Sequence, residues 1–363
     1  MFTFKNIDSY HSQLITGETD CFSVVQNYLG VINEKSALNA FVEVYEKEAL
    51  DLALKLDRNR KEGKPLKKLH GVVIAIKDVL CYKGKKITAS SKILQNVESL
   101  YTATSLQFLI DEEAIIIGSC NCDEFAMGSS SENSFYGNVL NPIDTSRVPG
   151  GSSGGSAVAV KAGMCMASLG SDTGGSVRQP ADFCGVIGCK PGYGSISRYG
   201  LIAYASSFDQ IGIFTTNISD AELLLAVLAQ NDSMDSTMHT LPFSENASLA
   251  PYSFCYFKQM LDHPALDKEI SESIYKKIEE LTSQGHKITP LDFNLLEYIV
   301  PAYYVLTTAE ASSNLSRYDG IRFGIQSATG YSNLTEFYSG NRSEGFGVEV
   351  KRRIMLGTFG PVP

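Results

Sequence analysis

The chain has 363 residues, of which 44% are hydrophobic and 20% charged, a composition typical of a soluble globular protein rather than a disordered or fibrous one. Its formal net charge of −9 argues against a broad basic surface that would bind nucleic acid directly. No apolar run is long enough to span a membrane, and the N-terminus lacks a signal-peptide pattern. The eight cysteines include no C-x-x-C pair and the five histidines have no metal-ligand spacing, so we expect a reduced, cytoplasmic, metal-free protein.

The N-terminal part of the chain is predicted to be helical. Apolar residues recur at helical spacing over Cys21–Ile32 and Glu46–Lys61. The continuous apolar run that begins at Gly71 and ends in Lys77 and Asp78 is typical of a strand buried on both faces. A lysine at the end of such a strand either extends its amine to solvent or belongs to a functional site.

Helices and strands alternate in the rest of the sequence. The pattern predicts a helix over Thr102–Glu113 and a buried strand over Ala114–Gly118, then a helix over Ala157–Gly163 and a short strand over Met164–Leu169. This alternation indicates an α/β fold with a largely parallel or mixed sheet. Later segments extend it: helix Ser219–Leu228, strand Tyr252–Phe257, helix Lys268–Leu281 and strand Lys287–Leu291.

Two clusters of glycine and serine, Gly150–Ser156 and Gly170–Arg178, flank the predicted helix and strand in the middle of the chain. A flexible linker would not alternate with buried elements in this way, so the clusters are interpreted as two halves of one site. Neither is followed by the Gly-Lys-Ser/Thr of a phosphate-binding loop. The first cluster matches the G-x-S-x-G nucleophile elbow, but the polar, proline-bounded loop Asn141–Pro149 precedes it instead of the required strand.

The two clusters, together with Gln179–Ala181 and Cys189–Pro191, closely resemble the signature of the amidase signature family of serine hydrolases. The resemblance covers nearly the whole chain. It implies an α/β amidase-signature fold whose central mixed sheet of many strands is covered by helices on both sides. It also implies one domain over residues 1–363, with N-terminal helices over about 1–65 and a catalytic core over about 66–359.

The family's Ser–Ser–Lys triad corresponds to Lys77, Ser152 and Ser176 in this sequence. Serine needs a base to become a nucleophile, no histidine lies in either cluster, and a desolvated Lys77 can supply a neutral amine. The resemblance implies that Ser152, joined to the preceding glycine by a cis peptide, passes the proton from Ser176 to Lys77. It further implies an oxyanion hole and substrate-binding positions at Thr173, Gly174, Gly175, Ser176, Met127, Gly128, Tyr304 and Arg353. Asp172 and Arg178 are expected to pair and brace the loop.

Segments outside the signature resemble the branch of the family that forms the glutaminase subunits of tRNA-dependent amidotransferases. That branch implies hydrolysis of glutamine or asparagine to supply ammonia for converting Glu-tRNA(Gln) to Gln-tRNA(Gln). It also implies a heterotrimer with B and C subunits, in which the B subunit uses ATP and Mg²⁺ and makes most tRNA contacts, so no cofactor is expected in this chain. A stand-alone amidase acting on small amides and a shortened, inactive family member remain as alternatives. The segments are Asp123–Gly128, Arg198–Leu201, Glu310–Leu315, Asp319–Arg322 and Lys351–Phe359.

The family pattern breaks after Phe359, where the sequence ends in Gly360–Pro363. Family members continue beyond this point, so we expect a shortened chain with an incomplete pocket. Such a chain is expected to expose apolar surface, hydrolyse glutamine poorly and melt over a low or broad transition.

Overall fold

The computed structural model of the chain describes residues 2–239, 251–327 and 330–359. They divide into two structural units, one holding residues up to 239 and from 305 onward, the other holding residues 251–304. The prediction of one domain over the whole chain stays a prediction. The ending Gly360–Pro363, on which the expectation of a shortened chain rests, lies outside the described residues.

Both helices predicted near the N-terminus are present. After α1 (Ile7–Thr16), α2 runs over Cys21–Glu34 and α3 over Glu46–Lys61. The Asp20 side chain accepts a hydrogen bond from Ser23 N at 2.7 Å and so satisfies one of the free amides at the start of α2. The short strand β1 (Phe41–Val44), between α2 and α3, was not predicted.

A six-stranded mixed sheet lies at the centre of the first unit. Besides β1 it contains β2 (Val73–Lys77), β3 (Ile115–Cys120), β4 (Ala167–Asp172), β5 (Ile187–Cys189) and β6 (Gln210–Thr215). The strands lie in the order β1-β3-β2-β4-β6-β5. The middle strand β2 pairs in parallel with β3 and β4, while the outer pairs are antiparallel. Strands β2, β3, β4 and β6 are buried along their whole lengths, so both faces of the middle of the sheet are covered.

The helix between the two glycine–serine clusters, α5 (Gly154–Lys161), packs against the strands in the middle of the sheet. Its second residue, Gly155, touches backbone: a Cβ at this position would lie 2.3 Å from the carbonyl oxygen of Asn121 and 2.6 Å from that of Ala40. Glycine therefore allows α5 to approach the loop after β3 closely, and the first cluster is held at the edge of the sheet.

Gly155→Ala should destabilise the protein by about 1–3 kcal/mol, because the new methyl group must displace backbone rather than a flexible side chain. Gly30→Ala is the matched control: Gly30 also lies in a helix, but a Cβ there meets nothing within 4 Å. The control should gain about 0.5–1 kcal/mol from the lower chain entropy of alanine. Urea unfolding of the two variants measures the difference, and equal midpoints would contradict the close approach.

The remaining helices and strands are as follows. The second unit contains β7 (Ser253–Phe257), α8 (Lys258–Leu261), α9 (Lys268–Ser283) and β8 (Lys287–Leu291), with β7 and β8 paired in parallel. Both strands and α9 agree with the sequence pattern. The helix α10 (Leu296–Asn314) includes residues of both units. The first unit also has α4 (Thr104–Asp111), α6 (Arg178–Cys184), α7 (Ile218–Leu228), α11 (Leu334–Gly345) and α12 (Val348–Thr358).

Across the described ranges, no helix has both the length and the apolar character needed to cross a membrane. In the same residues, no group of three or more His, Cys, Asp or Glu side chains is arranged to hold a metal ion. The expectation of a metal-free chain stays a prediction.

Candidate active site

Lys77 ends β2 in the middle of the sheet, and its side chain is completely buried. Its amine does not extend to solvent. Nζ donates hydrogen bonds to Ser152 Oγ at 2.7 Å and to Ser171 Oγ at 3.0 Å. Because β2 lies between two parallel strands, the end of β2 and the loop after β4 meet at the same edge of the sheet. Ser152, in the loop before α5, also contacts Lys77, so the two residues are brought together as predicted.

Burial lowers the pKa of the Lys77 amine, since the charged form loses its hydration. Four nearby acidic groups oppose this shift by favouring the ammonium ion, in decreasing order Cys122, Asp123, Asp209 and Asp172. The net direction is downward, so the neutral amine is available at a lower pH than in an exposed lysine. A neutral amine in contact with a hydroxyl can accept its proton.

The first cluster forms a tight loop whose Gly151–Ser152 peptide bond is cis. The buried Asp123 supports this loop: its backbone amide donates to Ser152 O at 3.1 Å, and a Cβ on Gly151 would lie 2.2 Å from Asp123 Oδ2. The carboxylate accepts hydrogen bonds from the amides of Ser131 at 3.0 Å and Asn133 at 3.2 Å. Only glycine can occupy position 151 against this carboxylate.

The second cluster wraps around the carboxylate of Asp172, the last residue of β4. This carboxylate accepts from the amides of Gly175 at 2.9 Å and Val177 at 3.0 Å, and from Arg178 Nε at 3.1 Å and Nη2 at 2.9 Å. Burial by itself raises the pKa of Asp172, but the hydrogen bonds from Arg178 and Val177 hold that pKa below its ordinary value. The predicted bracing pair of Asp172 and Arg178 is present.

The amides proposed for the oxyanion hole are not equivalent. The N–H of Gly175 donates to Asp172, whereas those of Gly174 and Ser176 donate to no acceptor in the described part of the chain. Thr173 Oγ1 donates to Asp209 Oδ1 at 2.6 Å. The free amides of Gly174 and Ser176 are therefore the strongest candidates for binding an oxyanion.

Ser176 is nearly buried, with 8% of its surface exposed. Its carbonyl oxygen accepts from Ser153 N at 3.2 Å, which joins the two clusters. Among the described residues, the Ser176 hydroxyl forms no hydrogen bond to Ser152. Catalytic hydrogen bonds are often long in uncomplexed enzymes, so the proton relay through Ser152 stays a prediction.

The predicted substrate-binding residues have different environments. Met127 is buried, and Gly128 packs against Asp123, whose Cγ would lie 2.2 Å from a Cβ at position 128. Arg353, in α12, is 7% exposed and donates to Glu349 Oε1 at 2.9 Å and to the Tyr204 hydroxyl at 3.0 Å. Tyr304 lies in α10 within the second unit and stacks edge-on against Tyr303. The roles of these residues stay predictions.

The sequence analysis missed Ser171 and the supporting role of Asp123. Ser171 is the second hydroxyl partner of Lys77, and its backbone is fixed by Ser153, whose Oγ donates to Ser171 O at 3.1 Å. Its position in the second glycine–serine cluster, directly before Asp172, is the only sequence signal that could have identified it.

Comparisons with known proteins identify the family of this chain. A protein-family model described as amidase matches residues 23–361. The A subunit of glutamyl-tRNA(Gln) amidotransferase from Chlorobium phaeobacteroides is 47% identical over 361 residues, which are 98% of this chain and 76% of that protein. The namesake protein of Chlorobium limicola is 47% identical over 353 residues, or 96% of this chain and 74% of its own.

Solved structures show the same architecture. The crystal structure of the glutamyl-tRNA(Gln) amidotransferase A subunit from Thermotoga maritima is 34% identical and matches with a TM-score of 0.72, over 98% of this chain and 70% of that one. Peptide amidase from Stenotrophomonas maltophilia, 24% identical, has the same fold with a TM-score of 0.81, over 98% of this chain and 76% of that one. Because the family model covers most of the sequence and a 47% identical relative aligns along 98% of it, this chain belongs to the amidase signature family.

Proposed function

We propose that this chain is the glutaminase subunit of a tRNA-dependent amidotransferase that acts in the cytoplasm. The observation that carries the chemistry is the completely buried Lys77 amine, 2.7 Å from Ser152 Oγ, beside a serine loop with free amides. Glutamine is proposed as the substrate because the A subunit of a glutamyl-tRNA(Gln) amidotransferase is similar to this chain over 98% of the chain's length.

In the proposed reaction, Ser176 Oγ attacks the side-chain amide carbon of glutamine. The Ser176 proton passes through Ser152 to neutral Lys77, and the developing oxyanion is bound by the amides of Gly174 and Ser176. The carbon–nitrogen bond breaks as the proton returns to the nitrogen, which leaves as ammonia. Water then hydrolyses the glutamyl ester by the reverse proton path and regenerates Ser176.

The partners in this proposal are a B-type subunit, which uses ATP and Mg²⁺ to activate Glu-tRNA(Gln) and receives the ammonia, and a small C-type subunit. The proposal gives neither ATP nor a metal a role at the serine site of this chain. Two variants of the reaction belong to the same proposal: asparagine as ammonia donor, which the experiment below distinguishes from glutamine, and Asp-tRNA(Asn) as acceptor.

The test is to purify the chain alone and together with B and C subunits of a relative, and to measure ammonia release from glutamine, asparagine and propionamide. We expect the three chains to co-elute, and glutamine to be hydrolysed with the highest kcat/KM. Preference for propionamide, with no association with the B subunit, would replace the proposal with a stand-alone amidase. Absence of hydrolysis in the assembled complex would favour an inactive family member.

A further inference from the structure

Asp209 is a buried carboxylate that takes no part in the proposed proton transfers among Ser176, Ser152 and Lys77, and only 3% of its surface is exposed. It directly precedes β6, which runs antiparallel to β4 with Gln210 opposite Asp172. This register places Asp209 beside Thr173, the first residue of the loop that leaves β4.

Three donors converge on the Asp209 carboxylate. Oδ1 accepts from the Thr173 hydroxyl at 2.6 Å, and Oδ2 accepts from the amides of Tyr204 at 2.9 Å and Ala205 at 3.1 Å. A carboxylate removed from water depends on such donors, so it holds Thr173 firmly to the backbone at 204–205.

The contacts continue from Tyr204 to α12. The Tyr204 side chain is 1% exposed, and its hydroxyl donates to Thr307 Oγ1 at 2.9 Å while accepting from Arg353 Nη1 at 3.0 Å. The Arg353 guanidinium carbon also lies 5.6 Å from the centre of the Tyr204 ring. A chain of contacts therefore connects Thr173 through Asp209 and Tyr204 to Arg353.

The loop with the free amides is thus anchored at both ends by carboxylates. Asp172 holds its second half through Gly175 and Val177, and Asp209 holds its first residue, Thr173. Between these anchors lies Gly174, which is exposed and has no side chain to fix its conformation. An oxyanion hole stabilises the transition state only if its donors are already oriented, so the first anchor is as necessary as the second.

We propose that Asp209 is a positioning residue that keeps the Thr173–Ser176 loop in its oxyanion-binding conformation and couples it, through Tyr204, to Arg353. This inference rests on the proposed function for its substrate, but the positioning of the loop can be tested with a reagent that does not resemble glutamine.

The test is phosphonylation of the chain by a fluorophosphonate, in which the Ser176 Oγ–phosphorus bond forms as the phosphorus–fluorine bond breaks and the serine proton passes to Lys77. The site is identified by peptide mass spectrometry, and kinact and KI are measured separately. Asp209→Asn and Thr173→Val should each lower kinact by about 100-fold with KI unchanged, because a misplaced donor costs rate rather than binding. Thr173→Ser should restore part of the rate lost in Thr173→Val.

Two further measurements separate positioning from general destabilisation. Asp57→Asn is the matched control, because Asp57 is also buried and accepts from two amides, of Cys21 and Phe22, each at 2.9 Å. Asp57→Asn should reduce thermal stability without changing kinact. The double variant of Asp209→Asn and Thr173→Val should be no slower than either single variant, because both substitutions act on the same contact between Thr173 and residue 209.

Unchanged kinact in folded Asp209→Asn and Thr173→Val, or losses that multiply in the double variant, would overturn the inference. The inference would also be overturned if Ser176 of the wild-type chain were not phosphonylated, because the Thr173–Ser176 loop would then not be held in its oxyanion-binding conformation. A wild-type chain that is phosphonylated at Ser176 but does not hydrolyse glutamine, even in the assembled complex, would refute the proposed function. The positioning role of Asp209 would still be judged by the kinact values.

Discussion

Ser176→Ala is expected to abolish glutamine hydrolysis while leaving the fold intact. Loss of a serine nucleophile costs about 10⁶-fold in kcat in a well-studied serine hydrolase, since the residual rate comes only from binding and the oxyanion hole. The Ser176 side chain forms no hydrogen bond in the described residues, so its removal leaves no partner unsatisfied. Ammonia release measures the first effect, and thermal unfolding measures the second.

The identity of the nucleophile is checked by labelling with an activated glutamine analogue, which should attach to Ser176 and not to Ser152. Ser195→Ala is the matched control, because Ser195 is also buried and its hydroxyl has no hydrogen-bond partner in the described structure. The control should keep full activity. A label on Ser152 would overturn the assignment and restore the nucleophile-elbow interpretation of the first cluster.

Lys77→Arg should lower the rate of glutamine hydrolysis by at least about 10²–10⁴-fold, the usual contribution of a general base. Arginine keeps its proton at every pH at which proteins are stable, so it cannot accept one from Ser152. In the unsubstituted chain, activity should rise with pH as the Lys77 ammonium loses its proton. Because burial lowers the pKa of Lys77, this rise should occur below the ordinary titration range of lysine.

The matched control for this substitution is Lys35→Arg. Lys35 is half-buried and its Nζ donates to Ala162 O at 2.7 Å, a contact in which arginine can replace lysine. Lys35→Arg should retain normal kcat and the same pH profile. Substantial hydrolysis by Lys77→Arg, or a rate independent of pH in the unsubstituted chain, would show that Lys77 is not the base.

Local sequence patterns were sufficient to predict the elements that carry Lys77 and flank the two serine clusters. The apolar run ending in Lys77 predicted β2, and the segment between the glycine–serine clusters predicted a helix and a strand where α5 and β4 occur. These predictions succeed because a strand buried on both faces must be apolar throughout, and because glycine and serine concentrate where the backbone turns tightly. The family resemblance then identified Lys77, Ser152 and Ser176 as the residues that correspond to the family's triad.

The strand β6 shows where local patterns fail. Gln210–Thr215 begins and ends with polar residues and has Gly212 near its centre, so its sequence gives little sign of a buried strand. Glycine is needed at position 212 because a Cβ there would lie 2.8 Å from the carbonyl oxygen of Cys189 on the neighbouring strand. Pairing with β4 and β5, not intrinsic preference, makes this segment a strand.

Taken alone, the sequence determined the strand that ends at Lys77, the two serine clusters and the membership of the chain in its family. Only the tertiary structure decided which groups those residues touch. Ser171 became a partner of Lys77, 94 positions away, and Asp209 an anchor for Thr173, 36 positions away. Hydrogen bonds of this kind depend on the register of the sheet and on which polar groups are buried next to one another. The spacing of residues along the chain specifies neither of these.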